Sequence, residues 1–272
     1  MDAYFILAGF VVGVLVGLTG IGGGALMTPL LIVVFQVPLL TAVSTDLLYA
    51  AITKCGGVVN YYRHQLINYK IVLLMLLGSL PGSWLMLNYL QHLTDLTQRE
   101  ALINAVLGTT LLMTALAVFF RSKIVSFAST FTGTCTNADT SKKDQQNVFK
   151  TLVKLRPLIT VVCGFALGCL VTLSSVGAGA LGTALLIICY PRMKMPEIVA
   201  TDLVHAVVLT SVAGLGHYQT GTVDLELLMC LILGSLPGVF LGSHFGVKLS
   251  AAVMQPIMGS VLMLIGGYFI FA

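Results

Sequence analysis

The fold is decided by a stretch of sequence that occurs twice in the chain. Residues 9–35 read GFVVGVLVGLTGIGGGALMTPLLIVVF, and residues 164–190 read GFALGCLVTLSSVGAGALGTALLIICY. A second block, GSLPG at residues 78–82, recurs unchanged at residues 234–238. Matches that keep the same order and nearly the same offset indicate two homologous repeats.

The composition indicates what surrounds these repeats. Of the 272 residues, 57% are apolar and only 9% are charged, whereas an ordinary globular domain carries about 25% charged residues. A soluble fold could not cover its surface with so few charges, and a disordered chain needs low hydrophobicity. The apolar residues form long continuous runs without the alternation of a membrane barrel. We therefore expect an all-α polytopic membrane protein surrounded by lipid.

The apolar runs divide the chain into two sets of five segments. The first set covers residues 4–20, 25–36, 42–61, 71–90 and 101–120, and the second covers 157–173, 179–190, 197–216, 225–246 and 251–271. Two segments are short, so the sequence predicts 8–10 membrane segments that include two broken helices. The predicted domains are an N-terminal membrane repeat (1–120), a cytoplasmic connecting loop (121–156) and a C-terminal membrane repeat (157–272).

The distribution of basic residues predicts the orientation of the two repeats. If the connecting loop is cytoplasmic and each repeat crosses the membrane an odd number of times, twelve basic residues lie inside and one, Arg99, lies outside. An even number of crossings gives nine inside and four outside. Because cytoplasmic loops are enriched in Lys and Arg, the odd count is favoured and predicts inverted repeats. Inverted repeats are typical of alternating-access transporters.

The two short segments, 25–36 and 179–190, predict a binding site for an anion. About 12 helical residues span ~18 Å, which is less than the ~30 Å hydrocarbon core. Each segment follows a glycine cluster, and a helix N-terminus with bare backbone attracts a small oxyanion. Close helix packing is the alternative explanation of the glycines. The candidate substrate-binding residues are Thr19, Gly22, Gly23, Gly24, Ser174, Ser175, Gly177, Ala178 and Gly179.

Ionisable residues occur within the predicted spans, where burial is expensive and a functional role is the first hypothesis. Asp46 and Asp202 occupy equivalent positions in the two repeats, whereas Lys54 has no counterpart. Proton coupling at either aspartate and anion attraction by Lys54 are two roles. The alternative is that the Thr-Asp pairs anchor helix ends. The polar intramembrane candidates are Thr45, Asp46, Lys54, Thr201, Asp202 and His205.

The sequence lacks the patterns that indicate an enzyme or a metalloprotein. It contains no HExxH, no GxSxG and no His/Cys cluster at ligand spacing. We therefore predict no enzymatic activity, no catalytic residues, no metal site and no cofactor. No basic run is interleaved with aromatic residues, so nucleic acid is not an expected partner. Whether the chain forms a homo-oligomer is left open.

Several of these motifs resemble a known family. GLTGIGGGALMTPLLIVVF (17–35), AVSTDL (42–47), VGAGALGTALL (176–186) and IVATDL (198–203) resemble the sulfite exporter TauE/SafE family, also called the toluene-sulfonate uptake permease family. The resemblance covers nearly the whole chain outside 121–156. The chain departs from the family pattern in having Asp46 and Asp202, where small residues are common.

The resemblance implies a permease of the bacterial inner membrane for sulfite, sulfoacetate or another organosulfonate. The predicted function is therefore transport of a small sulfur-containing anion across the plasma membrane by alternating access, with proton coupling as an option. The alternatives are a channel, or a permease for another small anion or a metal cation. The sequence does not distinguish import from export.

Overall fold

Helices account for the regular structure of the part of the chain that the computed structural model describes, which is residues 2–19, 24–93, 95–121, 123, 143–246 and 251–271. In chain order they are α1 Asp2–Thr19, α2 Gly24–Val33, α3 Leu39–Arg63, α4 Tyr69–His92, α5 Leu96–Phe119, α6 Lys143–Ser174, α7 Ala180–Cys189, α8 Met195–Gln219, α9 Leu225–Gly246 and α10 Ala251–Phe271. The expected all-α fold is confirmed. The two short helices, α2 and α7, lie where the sequence predicts broken helices.

Five of the described helical stretches are long and apolar enough to cross a membrane by length and composition. They are Tyr69–His92, Thr97–Phe119, Leu155–Ser174, Met195–Gln219 and Leu225–Gly242. Since a span of about 20 apolar residues crosses the hydrocarbon core, the chain is a multi-pass membrane protein. Helix α3 is also long, with 25 residues, but Asp46, Lys54 and Arg63 lower its hydropathy.

Helix α6 extends further than the sequence predicts. It begins at Lys143, well before the apolar segment that starts at residue 157. A helix does not have to end at the membrane surface, because its polar turns are solvated by water beyond the lipid. The predicted division into two repeats and a loop stays a prediction, as does the inverted topology, and residues 124–142 lie outside the described residues.

Helices of the first half of the chain pack closely on helices of the second half. Helix α1 lies along α9, and α4 lies along α6. A Cβ atom placed on Gly9 would lie 2.5 Å from the carbonyl oxygen of Leu231, and one on Gly164 would lie 2.7 Å from that of Met75. Only glycine permits such an approach of two backbones, which confirms a packing role for these glycines.

The remaining long helices also pack across the two halves of the chain. Helix α3 packs on α8 and α5 packs on α10, while the short helices α2 and α7 lie against α3 and α8 respectively. Helices α3 and α8 therefore meet each other, and each also contacts the short helix of its own half. This arrangement brings the polar residues of α3 and α8 into the interior of the bundle.

The glycines of the repeated GSLPG block give a test of this packing. A Cβ atom on Gly78 would lie 1.9 Å from the carbonyl oxygen of Val161, whereas a Cβ on Gly267 meets nothing within 4 Å. We expect Gly78→Ala to lower the free energy of unfolding in detergent by roughly 1–3 kcal/mol, a typical cost of overpacking. Gly267→Ala is the matched control, since both glycines lie within helices. Equal stability of the two variants would contradict the packing described here.

Candidate functional site

Each short helix is joined to the long helix that follows it by a threonine–aspartate hydrogen bond. The Thr28 hydroxyl on α2 donates to Oδ2 of Asp46 on α3. The Thr183 hydroxyl on α7 donates to Oδ2 of Asp202 on α8, at 2.9 Å. Both carboxylates are buried. The same polar pair therefore fixes the position of the short helix in both halves of the chain.

The two aspartates do not cap helix ends. Helix α3 begins after Pro38 and α8 begins after Lys194, so Asp46 and Asp202 each lie well within a helix. Their side chains point to the short helices, so each aspartate holds a short helix and does not cap the helix that it belongs to.

The threonines that precede the aspartates have a different role. The Thr45 hydroxyl accepts a hydrogen bond from the backbone N–H of Asp224, at 3.2 Å. The Thr201 hydroxyl accepts one from the backbone N–H of Asn68, at 3.1 Å. Asn68 and Asp224 in turn accept from backbone N–H groups at the starts of α4 and α9. Each threonine thus anchors the start of a helix in the opposite half.

The chain leaves the helical conformation between α6 and α7. Ser175 and Gly177 have φ angles of +56° and +97°, which are rare for residues with a side chain and allowed for glycine. The Ser174 hydroxyl donates to the carbonyl oxygen of Leu170 at 2.7 Å and turns back toward its own helix. We call residues 175–179 the bend.

Helix α7 begins at the bend with no side-chain cap at Gly179. The first N–H groups of a helix have no partner within the helix and carry a partial positive charge. Glycine at this position leaves the backbone open to a ligand. Two N–H groups here, those of Gly179 and Leu181, donate to the carbonyl oxygen of Gly177 at 2.7 and 3.2 Å, so the electropositive helix end of the second half rests on the others and stays a prediction.

Lys54 of α3 reaches the bend from the opposite half of the chain. Its Nζ atom donates to the carbonyl oxygen of Ala178 at 3.0 Å. Ser175, at the other end of the bend, lies beside Asp46. The bend therefore lies along α3 between Asp46 and Lys54.

A cavity of about 50 Å³ lies at the start of α7. Its polar lining and the adjacent backbone come from Lys54, Arg121, Ala178, Gly179, Thr183 and Asp202. A cavity of this size holds a few water molecules or a small ion. It combines a helix N-terminus, two basic side chains and one carboxylate, so it can accept an anion beside a bound proton or cation.

The two threonine–aspartate pairs differ in their surroundings. Asp202 lines the cavity, whereas Thr28 and Asp46 are fully buried and do not belong to its lining. In both carboxylates the second oxygen, Oδ1, is buried and has no hydrogen-bond partner among the described residues. Buried acceptors are nearly always satisfied, so each of these oxygens is a candidate contact for a ligand or a proton.

Gly182 accounts for the position of Asp202. A Cβ atom on Gly182 would lie only 2.0 Å from Oδ1 of Asp202. The equivalent position in the first half of the chain is Met27, which is fully buried. The absence of a side chain at 182 therefore lets Asp202 approach the start of α7. The sequence signal for this was the Met-to-Gly difference between the repeats.

His205 joins two helices away from the cavity lining. Its Nε2 atom lies 2.9 Å from the Ser79 hydroxyl on α4, and its Nδ1 atom is buried without a partner among the described residues. Tyr49 occupies the equivalent position on α3 and lies near Ser235 of α9. Ser79 and Ser235 both belong to the repeated GSLPG block, and this repetition is the sequence signal that could have identified them.

The structure describes the predicted substrate-binding residues of the second half more completely than those of the first half. Ala178 and Gly179 line the cavity together with Lys54 and Asp202. Gly22 and Gly23 lie outside the described residues, and the side chain of Thr19 is likewise not described. Gly24 is the first residue of α2. The first-half contribution to the site therefore stays a prediction.

The contact between Gly182 and Asp202 can be tested without knowing the function. We expect Gly182→Ala to lower the unfolding temperature in detergent, because the added methyl group collides with a buried carboxylate. The same change should have little effect in an Asp202→Ala background, where the carboxylate is absent. Gly56→Ala is the control, since a Cβ there meets nothing within 4 Å. An equal effect of Gly182→Ala in both backgrounds would contradict this geometry.

Known proteins with similar sequences include several membrane transporters. "Probable membrane transporter protein YjnA" of Bacillus subtilis (strain 168) is 35% identical over 268 residues, which cover 98% of each chain. "Probable membrane transporter protein YdhB" of the same organism is 25% identical over 265 residues, which cover 95% of this chain and 98% of its own. No solved structure matches the chain.

One family model matches almost the entire sequence. The model of the family described as "Sulfite exporter TauE/SafE" matches residues 5–269. This range includes both short helices, the bend and all the polar residues of the cavity. With its apolar helices and its transporter relatives, the chain is a multi-pass protein of the cell membrane and belongs to the sulfite exporter TauE/SafE family of membrane transporters.

Proposed function

We propose that this transporter moves a small sulfur-containing anion, such as sulfite, sulfoacetate or another organosulfonate. The observation that supports this most is that the start of α7, which has no side-chain cap, lies at a cavity lined also by Lys54. The family description supplies the substrate class, because it names a sulfite exporter.

The chemistry of the cavity suits an oxyanion. Backbone N–H groups at a helix start donate to anionic oxygens without the burial of another full charge. Lys54 and Arg121 add positive charge to the lining of the cavity. A sulfite or sulfonate group presents three oxygens that accept hydrogen bonds in different directions, so it can use the helix end and a side chain together.

Alternating access is the proposed mode of transport. The threonine–aspartate pair occurs in both halves, yet only the second-half pair lines the cavity. If the two halves rock against each other, the pairs exchange roles and the cavity opens on the other side. This step of the proposal depends on the predicted inverted topology.

Proton coupling through the two aspartates follows from the charges. The buried cluster holds the carboxylates of Asp46 and Asp202 and the ammonium of Lys54. Adding an anion increases the negative charge in a medium where uncompensated charge is expensive. A proton on one carboxylate reduces this cost, so anion and proton would move together.

The anion site is tested by uptake and efflux of radiolabelled sulfite and sulfoacetate in membrane vesicles. We expect Ala178→Leu and Gly23→Leu to reduce transport by roughly tenfold or more, because a bulky side chain blocks the backbone at the helix ends and costs ~1–3 kcal/mol. Ala101→Leu and Gly267→Leu are the controls, since Ala101 is exposed and Gly267 lies in open space. Unchanged transport in both test variants would remove these helix ends from the mechanism.

Proton coupling is tested with imposed pH gradients in the same vesicles. Asp46→Asn and Asp202→Asn remove a protonatable group but keep its size, so we expect each variant to lose the stimulation of transport by a pH gradient. Asp95→Asn, at an exposed position before α5, should keep it. Stimulation of both buried variants at the wild-type level would show that neither carboxylate carries the proton.

A further inference from the structure

The start of α7 presents oxygen atoms as well as N–H groups. The Ala178 carbonyl lies in the non-helical bend, and the Thr183 hydroxyl and the Asp202 carboxylate lie beside it in the same cavity. Oδ1 of Asp202 is buried and has no hydrogen-bond partner among the described residues. Unwound backbone carbonyls coordinate sodium ions in broken transporter helices, and carboxylate oxygens bind hard cations.

A positive charge already lies at these oxygens. Nζ of Lys54 is 3.0 Å from the Ala178 carbonyl oxygen, and Lys54 is only 7% exposed. Lys54 and Asp202 line the same cavity. From these contacts we propose that the Lys54 ammonium fills a cation site of the second half, in the place that an exchangeable sodium ion would otherwise take.

The two halves of the chain differ at the position of Lys54, and this difference supports the assignment. The position equivalent to Lys54 is Thr210 on α8, and its hydroxyl bonds to the Ala206 carbonyl of its own helix at 2.8 Å. The first-half pair Thr28 and Asp46 therefore receives no lysine from that position. The covalently held ammonium of Lys54 therefore lies at the second-half site, whereas the equivalent residue for the first-half pair is a neutral threonine.

A tethered ammonium has a functional consequence, which rests on the proposed anion transport. Since Lys54 is covalently held, it cannot leave with the substrate, and its charge remains available to an anion throughout the cycle. A sodium ion cannot bind at the Ala178 carbonyl while Nζ is there. Transport by the wild-type protein should therefore be independent of sodium.

The cation site is tested on purified protein with no anion substrate present. The unfolding temperature and the binding of radioactive sodium are measured in sodium chloride and in choline chloride at equal concentration. The wild-type protein should show no sodium-specific change. Lys54→Thr, which installs the residue of the other repeat, should gain saturable sodium binding and a rise in unfolding temperature of roughly 2–4 °C or more.

Three further variants make the result specific. Asp202→Asn added to Lys54→Thr should abolish the gain, because it removes the anionic ligand. Lys70→Thr is the matched control, since Lys70 is exposed at the start of α4. Lys54→Gln is made in parallel, so that the conclusion does not depend on the folding of a single variant.

The proposal is overturned by either of two results. One is sodium binding to the wild-type protein that Asp202→Asn abolishes. The other is a sodium response of folded Lys54→Thr and Lys54→Gln no greater than that of Lys70→Thr. Because these measurements use no sulfur oxyanion, a sodium site in the Lys54 variants of a protein that moves neither sulfite nor an organosulfonate would contradict the proposed function and leave the cation site intact.

Discussion

The contact between Lys54 and the Ala178 carbonyl is the interaction on which the site depends. A lysine within a bilayer requires acceptors for its ammonium group, and the nearest carbonyl belongs to a bend in the other half of the chain. The bend can supply that carbonyl because it is not helical, so its oxygen is not used within α6 or α7. The same irregularity exposes the start of α7, and a positive charge and a helix end therefore share one cavity.

The packing of first-half helices on second-half helices holds this cavity in place. Helices α1 and α4 each pack on a helix of the opposite half through glycines that allow the backbones to touch. Thr45 and Thr201 add hydrogen bonds between the halves at the starts of α9 and α4. Neither half encloses the site alone, since Lys54 comes from one half and Asp202 from the other.

Much of this arrangement could be predicted from the sequence because the same sequence pattern occurs twice in the chain. The low charge content predicts a membrane protein, the short apolar segments predict α2 and α7, and equivalent positions identify Asp46 and Asp202. The partner of Lys54 could not be predicted in this way, because Thr210 stands at the equivalent position and the contact joins distant parts of the chain. The helix-anchoring role of Thr45 was one of two hypotheses that the sequence left open, since a threonine beside an aspartate fits both a site and an anchor.

The central claim is that an anion binds at the start of α7 beside Lys54. The most direct measurement is a crystal structure with selenite in place of sulfite, in which anomalous scattering locates the selenium atom. We expect a selenium peak within hydrogen-bond reach of the backbone N–H groups at the start of α7, in the cavity that Lys54 lines. A selenium peak at another site, with this cavity empty, would contradict it.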